Sequence, residues 1–271
     1  MRRDALNYIC CPNCNNCLSL TIDEVIMDEV IKGVLDCTAC KKSYKIHDGL
    51  ANLVFNGCEE SDPSCQEFYD ERPKYDYRPA AFRLGIWDIP FNWKQNKKQW
   101  PVRLELEKGD AVLETGAGNG NNLPYLANTI GTSGRLDCMD ISSASLKTAR
   151  NNMLPNPVRT ELLQANACYL PYKNDTFDAV LHIGGFNVFG EKKKAIDEMH
   201  RVAKASAKIV FTDEGLAPGR EKTLLGKYIL RCNKLFFHSP PVDLLPEDVE
   251  DLKVYWIHQG TFWVIDYRKG T

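Results

Sequence analysis

Past residue 110, short apolar runs alternate with stretches of helical period. Five runs read as buried strands: 110–114, 135–140, 160–164, 178–183 and 208–212. Between them, 123–129 continues a helix opened by a glycine-rich turn. Ser142 stands where a cap would start a helix reaching about Met153. Ile196, Met199 and Val202 recur at helical intervals in a helix over about 191–202. Such alternation predicts an α/β fold, a parallel sheet with helices on both faces. The pattern then changes. Residues 219–237 read as an amphipathic helix in which Leu225, Tyr228, Ile229 and Cys232 share a face, and Pro240-Pro241 stops it. Two β-rich runs, 252–258 and 261–267, join at Gln259-Gly260 and must be antiparallel. The expected sheet is therefore seven-stranded and mostly parallel, with a C-terminal antiparallel hairpin.

The N-terminal third follows another rule. Residues 1–57 are rich in cysteine, and 44–50 end in an Asp48-Gly49 turn. Residues 56–64 are polar and turn-rich, as a linker would be. Residues 66–101 are dense in aromatics, among them Tyr75, Trp87, Phe91 and Trp100, and are interrupted by Pro73, Pro79 and Pro90. They read as short helices and loops covering one end of the sheet. The expected organisation is a small zinc-binding domain over 1–57, a linker and aromatic cover over 58–101, and the main domain over 102–271.

Composition changes this picture little. The net charge of −2 gives no global basic field, and Lys192-Lys193-Lys194 reads as a solvated helix start. No apolar run reaches the length that spans a bilayer, so no membrane partner is expected. Met1-Arg2-Arg3-Asp4 has no apolar stretch behind it, so a cytoplasmic location is expected. Oligomeric state leaves no signal.

Cysteine usage changes it more. Of eleven cysteines, six fall in the first forty residues, and an odd total without a signal segment argues against a disulfide framework. Cys11-Pro12-Asn13-Cys14 and Cys37-Thr38-Ala39-Cys40 are two CxxC knuckles. Four thiolates close a tetrahedral zinc site with no open position, so this Zn²⁺ is expected to be structural. A segment this small buries too little apolar surface to fold unaided. Lys41 and Lys42 are placed to offset the charge of the thiolates. Cys10 and Cys17 remain as alternative ligands, and Pro12 favours the knuckle at Cys11 and Cys14.

The run Glu114-Thr115-Gly116-Ala117-Gly118-Asn119-Gly120 breaks from a strand into a helix, and Asp140 ends the next strand. Glycines admit a ligand that a Cβ would push away, and an acid about 20 residues on can accept hydrogen bonds from a ribose diol. This run resembles the first motif of class I S-adenosylmethionine-dependent methyltransferases, which have a Rossmann-like sheet. Asn166-Ala167-Cys168-Tyr169-Leu170-Pro171-Tyr172, Phe177-Asp178 and Glu198-Met199-His200-Arg201-Val202 resemble their later motifs, most closely in the ubiquinone/menaquinone-methyltransferase-like group. The cysteine segment separately resembles the small zinc domain of bacterial rRNA guanine methyltransferases and of methyltransferase-activator proteins.

The first resemblance implies S-adenosyl-L-methionine as cofactor. It implies that Gly116 and Gly118 line the methionine and ribose portion and that Glu114 meets the amino group. Asp140 would bind the ribose hydroxyls, and Ile141 would pack on the adenine. Asn166 and Ala167 would read the adenine edge, His182 would lie near the methionine part, and Tyr75 would close over the cofactor. Asn166 stands where the family has an aspartate, and Ala205-Ser206-Ala207 stands where it has a Pro-Gly-Gly turn. Methyl transfer mainly requires that the acceptor be positioned, and a base is needed only if the acceptor must lose a proton. His182, Asp213 and Glu214 lie at carboxyl ends of strands, where ligands bind, and His182 and Asp213 are the catalytic candidates. Asn187 could orient an acceptor, and Cys168 is expected to be buried. The expected function is methyl transfer to a small-molecule acceptor. The alternatives are an rRNA or tRNA base methyltransferase, with RNA as partner, and a non-catalytic binding protein with a methyltransferase fold.

Overall fold

A computed structural model describes residues 1–54, 93–153 and 158–271, with side chains from 97 onward in the second stretch. Among these residues eleven strands join in one mixed sheet. The first four are β1 (Leu18–Ile26), β2 (Glu29–Cys37), β3 (Ser43–His47) and β4 (Leu50–Asn52). Then come β5 (Ala111–Thr115), β6 (Arg135–Asp140), β7 (Arg159–Gln164), β8 (Phe177–Ile183), β9 (Ala203–Glu214), β10 (Val249–Ile257) and β11 (Phe262–Lys269). Their order is β1-β2-β3-β4-β7-β6-β5-β8-β9-β11-β10.

The centre, β7-β6-β5-β8-β9, is parallel. β11 runs antiparallel to β9 and to β10, as the hairpin pattern predicts. The central strands are buried along nearly their whole length, because helices cover both faces. On one face α1 (Trp93–Arg103), α2 (Leu123–Ile130) and α3 (Ser143–Asn152) pack Trp100, Leu126 and Leu146 against Val112, Leu136 and Leu181. On the other, α4 (Lys192–Val202) packs Ile196, Met199 and Val202 with Leu113, Val180 and Phe211. Neighbouring residues of each strand thus serve opposite faces.

The expected seven strands do not stop at β7. β4 pairs parallel to it, Ala51 opposite Leu163 and Asn52 opposite Gln164, so the N-terminal strands extend the sheet. Leu53 N–H donates to Gln164 O at 2.7 Å. Behind the sheet, Cys10 N–H donates to Pro171 O at 3.0 Å and Lys173 N–H to Tyr8 O at 2.9 Å. The Arg135 guanidinium lies 3.7 Å from the Tyr8 ring centre, a cation–π contact.

Two elements differ from expectation. Residues 93–103 form one helix, with Pro101 in its last turn, where short helices and loops were expected. The amphipathic segment forms α5 (Leu224–Cys232), but of the four residues expected to share a face only Ile229 is buried. The small Gly226 is its other buried residue, because the preceding turn lies close: a Cβ there would stand 1.9 Å from Arg220 O.

Candidate cofactor pocket and metal centre

β5 ends in a loop whose backbone favours glycine. Gly116, Gly118 and Gly120 have φ of +66°, +52° and +73°, the left-handed region. A Cβ on Gly116 would stand 3.1 Å from His182 Cε1, and one on Gly120 would stand 2.9 Å from Ala149 Cβ. One on Gly118 would meet nothing within 4 Å, so the middle of the loop faces open space.

Asp140, at the end of β6, holds this loop. Its Oδ2 accepts from Gly118 N–H at 2.7 Å and its Oδ1 from Ser142 N–H at 2.9 Å. A carboxylate oxygen can accept a second hydrogen bond, so the same group can also take a ribose diol. Ile141, half-buried beside it, is fixed by Gln164, whose Nε2 donates to Ile141 O at 3.0 Å.

Glu114 and His182 lie buried below the loop. Burial pushes the Glu114 carboxyl up to about 8, with Asp140 adding to the rise and Asn122 and Lys97 opposing it. Asn122 Nδ2 donates to Glu114 Oε1 at 2.7 Å, and Glu114 Oε2 has no partner within the protein. His182 Nδ1 donates to Thr115 O at 2.9 Å, which leaves Nε2 as an acceptor, also buried and without a partner. Burial pulls this imidazole down to about 4. Two buried acceptors under a glycine loop fit the donor-rich end of an amino-acid-bearing cofactor. Asn122 and Thr115 were not singled out from the sequence. Asn122 directly follows the glycine loop, but its contact with Glu114 depends on how that loop turns.

Asn166 lies in the loop after β7. Its Oδ1 accepts from Cys168 N–H at 2.8 Å, a local turn in which the side chain shapes the loop after β7. Ala167 and Cys168 are buried beside it. Asp213 is fully buried, with Oδ2 accepting from Asn187 N–H at 2.5 Å and Oδ1 from Glu214 N–H at 2.8 Å. Asn187 Nδ2 in turn donates to Glu214 O at 2.8 Å. This arrangement joins the ends of β8 and β9. Tyr75 lies outside the described residues.

The four cysteines converge. Cys11, Cys14, Cys37 and Cys40 place their sulfurs within 4.8 Å of one another, with Cys11–Cys40 at 3.6 Å and Cys14–Cys37 at 3.4 Å. Zn–S bonds of about 2.3 Å in a tetrahedron put sulfurs about 3.8 Å apart, so the cluster is consistent with a zinc-binding site. Both knuckles close alike. Asn15 and Lys41, each following a knuckle's second cysteine, have φ of +58° and +62°. Their N–H groups donate to Cys11 O at 2.8 Å and Cys37 O at 3.2 Å. The Lys42 backbone amide pulls the Cys40 thiol down to about 6, favouring the thiolate that a metal binds. Cys10 stands outside the cluster with its thiol pushed up to about 11 by burial, and Cys17 is exposed. Lys41 Nζ donates to Thr38 O at 2.8 Å.

The parallel centre, the antiparallel β11 and a glycine loop held by an acid at the end of β6 define the class I methyltransferase architecture. Residues 112–206 match the family described as methyltransferase domain, and the chain carries such a domain there. It is 28% identical over 151 residues to a ubiquinone/menaquinone biosynthesis C-methyltransferase of Marinomonas sp., covering 55% of this chain and 57% of that one. It is 29% identical to a 2-phytyl-1,4-naphtoquinone methyltransferase of Nostoc sp., covering 52% and 60%. The chain thus spans less than two thirds of the length of these curated relatives. Among solved structures, phosphoethanolamine N-methyltransferase 2 of Haemonchus contortus shares the fold at a TM-score of 0.59. That likeness has 14% identity and covers 77% of this chain and 60% of that one.

Proposed function

We propose that this protein is an S-adenosylmethionine-dependent methyltransferase acting on a small molecule. The observation that carries this reading is the glycine loop, held open at Gly118 by Asp140 above two partnerless buried acceptors, Glu114 Oε2 and His182 Nε2. Asp140 holds the ribose hydroxyls, and Glu114 with His182 Nε2 receives the amino group. Ile141 packs on the adenine, and Ala167 meets its edge. When bound, the cofactor supplies a methyl group on a positive sulfur, a good leaving group. The chain orients the acceptor and excludes water.

The small-molecule reading is supported by the names of the two quinone-related relatives and by a net charge of −2. His182, neutral and without exposure, acts as an acceptor toward the cofactor rather than as a base, and Asp213 keeps the site in shape. The four thiolates hold a structural zinc ion, and residues 1–57 form the unit built around it. The test is calorimetry with S-adenosylmethionine, followed by transfer of labelled methyl groups into a metabolite extract and into RNA. Label in a small product is expected. Label in RNA alone would replace the acceptor class, and absence of cofactor binding would overturn the reading.

A further inference from the structure

The stretch from 219 to 238 is anchored on one side and uncovered on the other. Thr223 caps α5 by accepting from Gly226 N–H at 3.0 Å, and Ile229 is buried. Asn187 Nδ2 lies 3.4 Å from Leu235 O, so the turn Lys234–Phe237 is tied to the carboxyl ends of β8 and β9. Outward, Leu224 is 88% exposed and Tyr228 is 43% exposed, one helical turn apart. Lys227 and Arg231 form the neighbouring exposed row. Phe237, in the turn after the helix, is 65% exposed.

Charge says what covers this surface. Residues 219–238 contain five Lys and Arg against one acid, Glu221, in a chain of net charge −2. Lys222, Lys227, Arg231 and Lys234 are exposed and form no ion pair among the described residues. A nucleic acid would use the cations but would leave Leu224 and Phe237 in water. A bilayer surface uses both: apolar side chains enter the acyl boundary while flanking cations meet lipid phosphates. We propose that this segment docks the protein on an anionic membrane surface, lying on it and not across it. No described helix is long and apolar enough to cross a membrane. The proposal departs from the expectation of no membrane partner and goes beyond the proposed methyl transfer. Docking would hold at the bilayer the segment that Asn187 ties to the carboxyl ends of β8 and β9.

The test is sedimentation of the full chain with vesicles of phosphatidylcholine alone and of phosphatidylcholine mixed with phosphatidylglycerol. Binding to the anionic vesicles alone, weakened by salt, is expected. Lys227→Glu with Arg231→Glu should lower partitioning on the order of thirtyfold or more, given about fivefold per cation removed. Leu224→Asp with Phe237→Asp should lower it at least tenfold. These side chains are exposed, so unfolding temperature should not change, and vesicle binding requires no cofactor. Failure here is therefore separable from failure of cofactor binding. Absence of anionic binding, equal binding to both vesicles, or binding indifferent to the variants would overturn the proposal. So would vesicle-independent RNA binding or self-association through the same residues.

Discussion

Glu114 shows how one buried side chain can couple protons to ligand. Its carboxyl, raised to about 8, is mostly neutral at pH 7 in the free chain, whereas a bound ammonium favours the carboxylate. Cofactor binding at pH 7 should therefore release about one proton, seen as a dependence of calorimetric heat on buffer ionisation. Glu114→Gln should abolish that release and weaken binding roughly tenfold to a hundredfold. The sign for stability is the reverse of the usual carboxylate case. A value raised on folding gives stability that is present below the ordinary carboxylate range and lost as pH rises toward about 8. The free Glu114→Gln chain should thus melt above the parent at pH 9 and closer to it at pH 5. Asp213 behaves differently, since both its oxygens serve backbone amides. Asp213→Asn should cost about 1–3 kcal/mol, read as a lower urea midpoint, and leave the pH profile of methyl transfer unchanged. Its place at the carboxyl end of β9 made Asp213 a catalytic candidate; the two backbone amides that its oxygens accept from were not legible in the sequence.

At the scale of elements, the glycine loop separates two demands made of one residue type. Gly120 sits against α2 and α3, where a Cβ would stand 2.9 Å from Leu123 Cδ1 and Ala149 Cβ. Gly118 faces open space. Gly120→Ala should cost about 2–4 kcal/mol from backbone strain and overpacking, measured by thermal unfolding. Gly118→Ala should cost only about 1–2 kcal/mol yet weaken cofactor binding more than about tenfold, because its Cβ enters the ligand's space. The sequence marks both as glycines of one motif and does not distinguish them, because the distinction lies in what packs above each. α5 teaches a similar lesson. Its apolar period was legible, but period cannot tell a helix face turned to the core from one turned outward. Leu225 and Tyr228 are exposed because Gly226 and Ile229 take the inner side.

At the scale of the molecule, the cysteine-rich segment and the cofactor pocket share one sheet. Leu53 N–H donates to Gln164 O, and Gln164 Nε2 donates to Ile141 O, so the N-terminal strands reach the loop after β6 through two hydrogen bonds. Arg150 of α3 bonds Asp48 O and pairs with Glu29 at 3.4 Å. Chelation should therefore lower the unfolding temperature and also weaken cofactor binding, although the cysteines are not part of the pocket. Cys37→Ala should lose the metal and reproduce both effects, while Cys17→Ala keeps a single zinc by elemental analysis.

Short-range patterns in this chain were readable because their chemistry is local. Each CxxC knuckle needs only its own spacing to bring two thiols together, and a strand, three glycines and an acid suffice to announce a nucleoside pocket; the β1–β2 pairing, with Leu18 opposite Cys37, then joins the two knuckles. Alternation of buried strands and helices likewise imposes a parallel sheet, since each helical crossover returns the chain to the same end of the sheet. Long-range choices were not readable. Leu50–Asn52 is too short to carry a period, so its pairing with β7, and with it the joining of the N-terminal strands to the sheet, depends on an edge formed over a hundred residues later. The pairing of Asp213 with Asn187, the place of His182 under Gly116 and the outward turn of α5 are of the same kind. Each depends on which distant surface packs against a given side chain, and that is settled by tertiary packing rather than by neighbours along the chain.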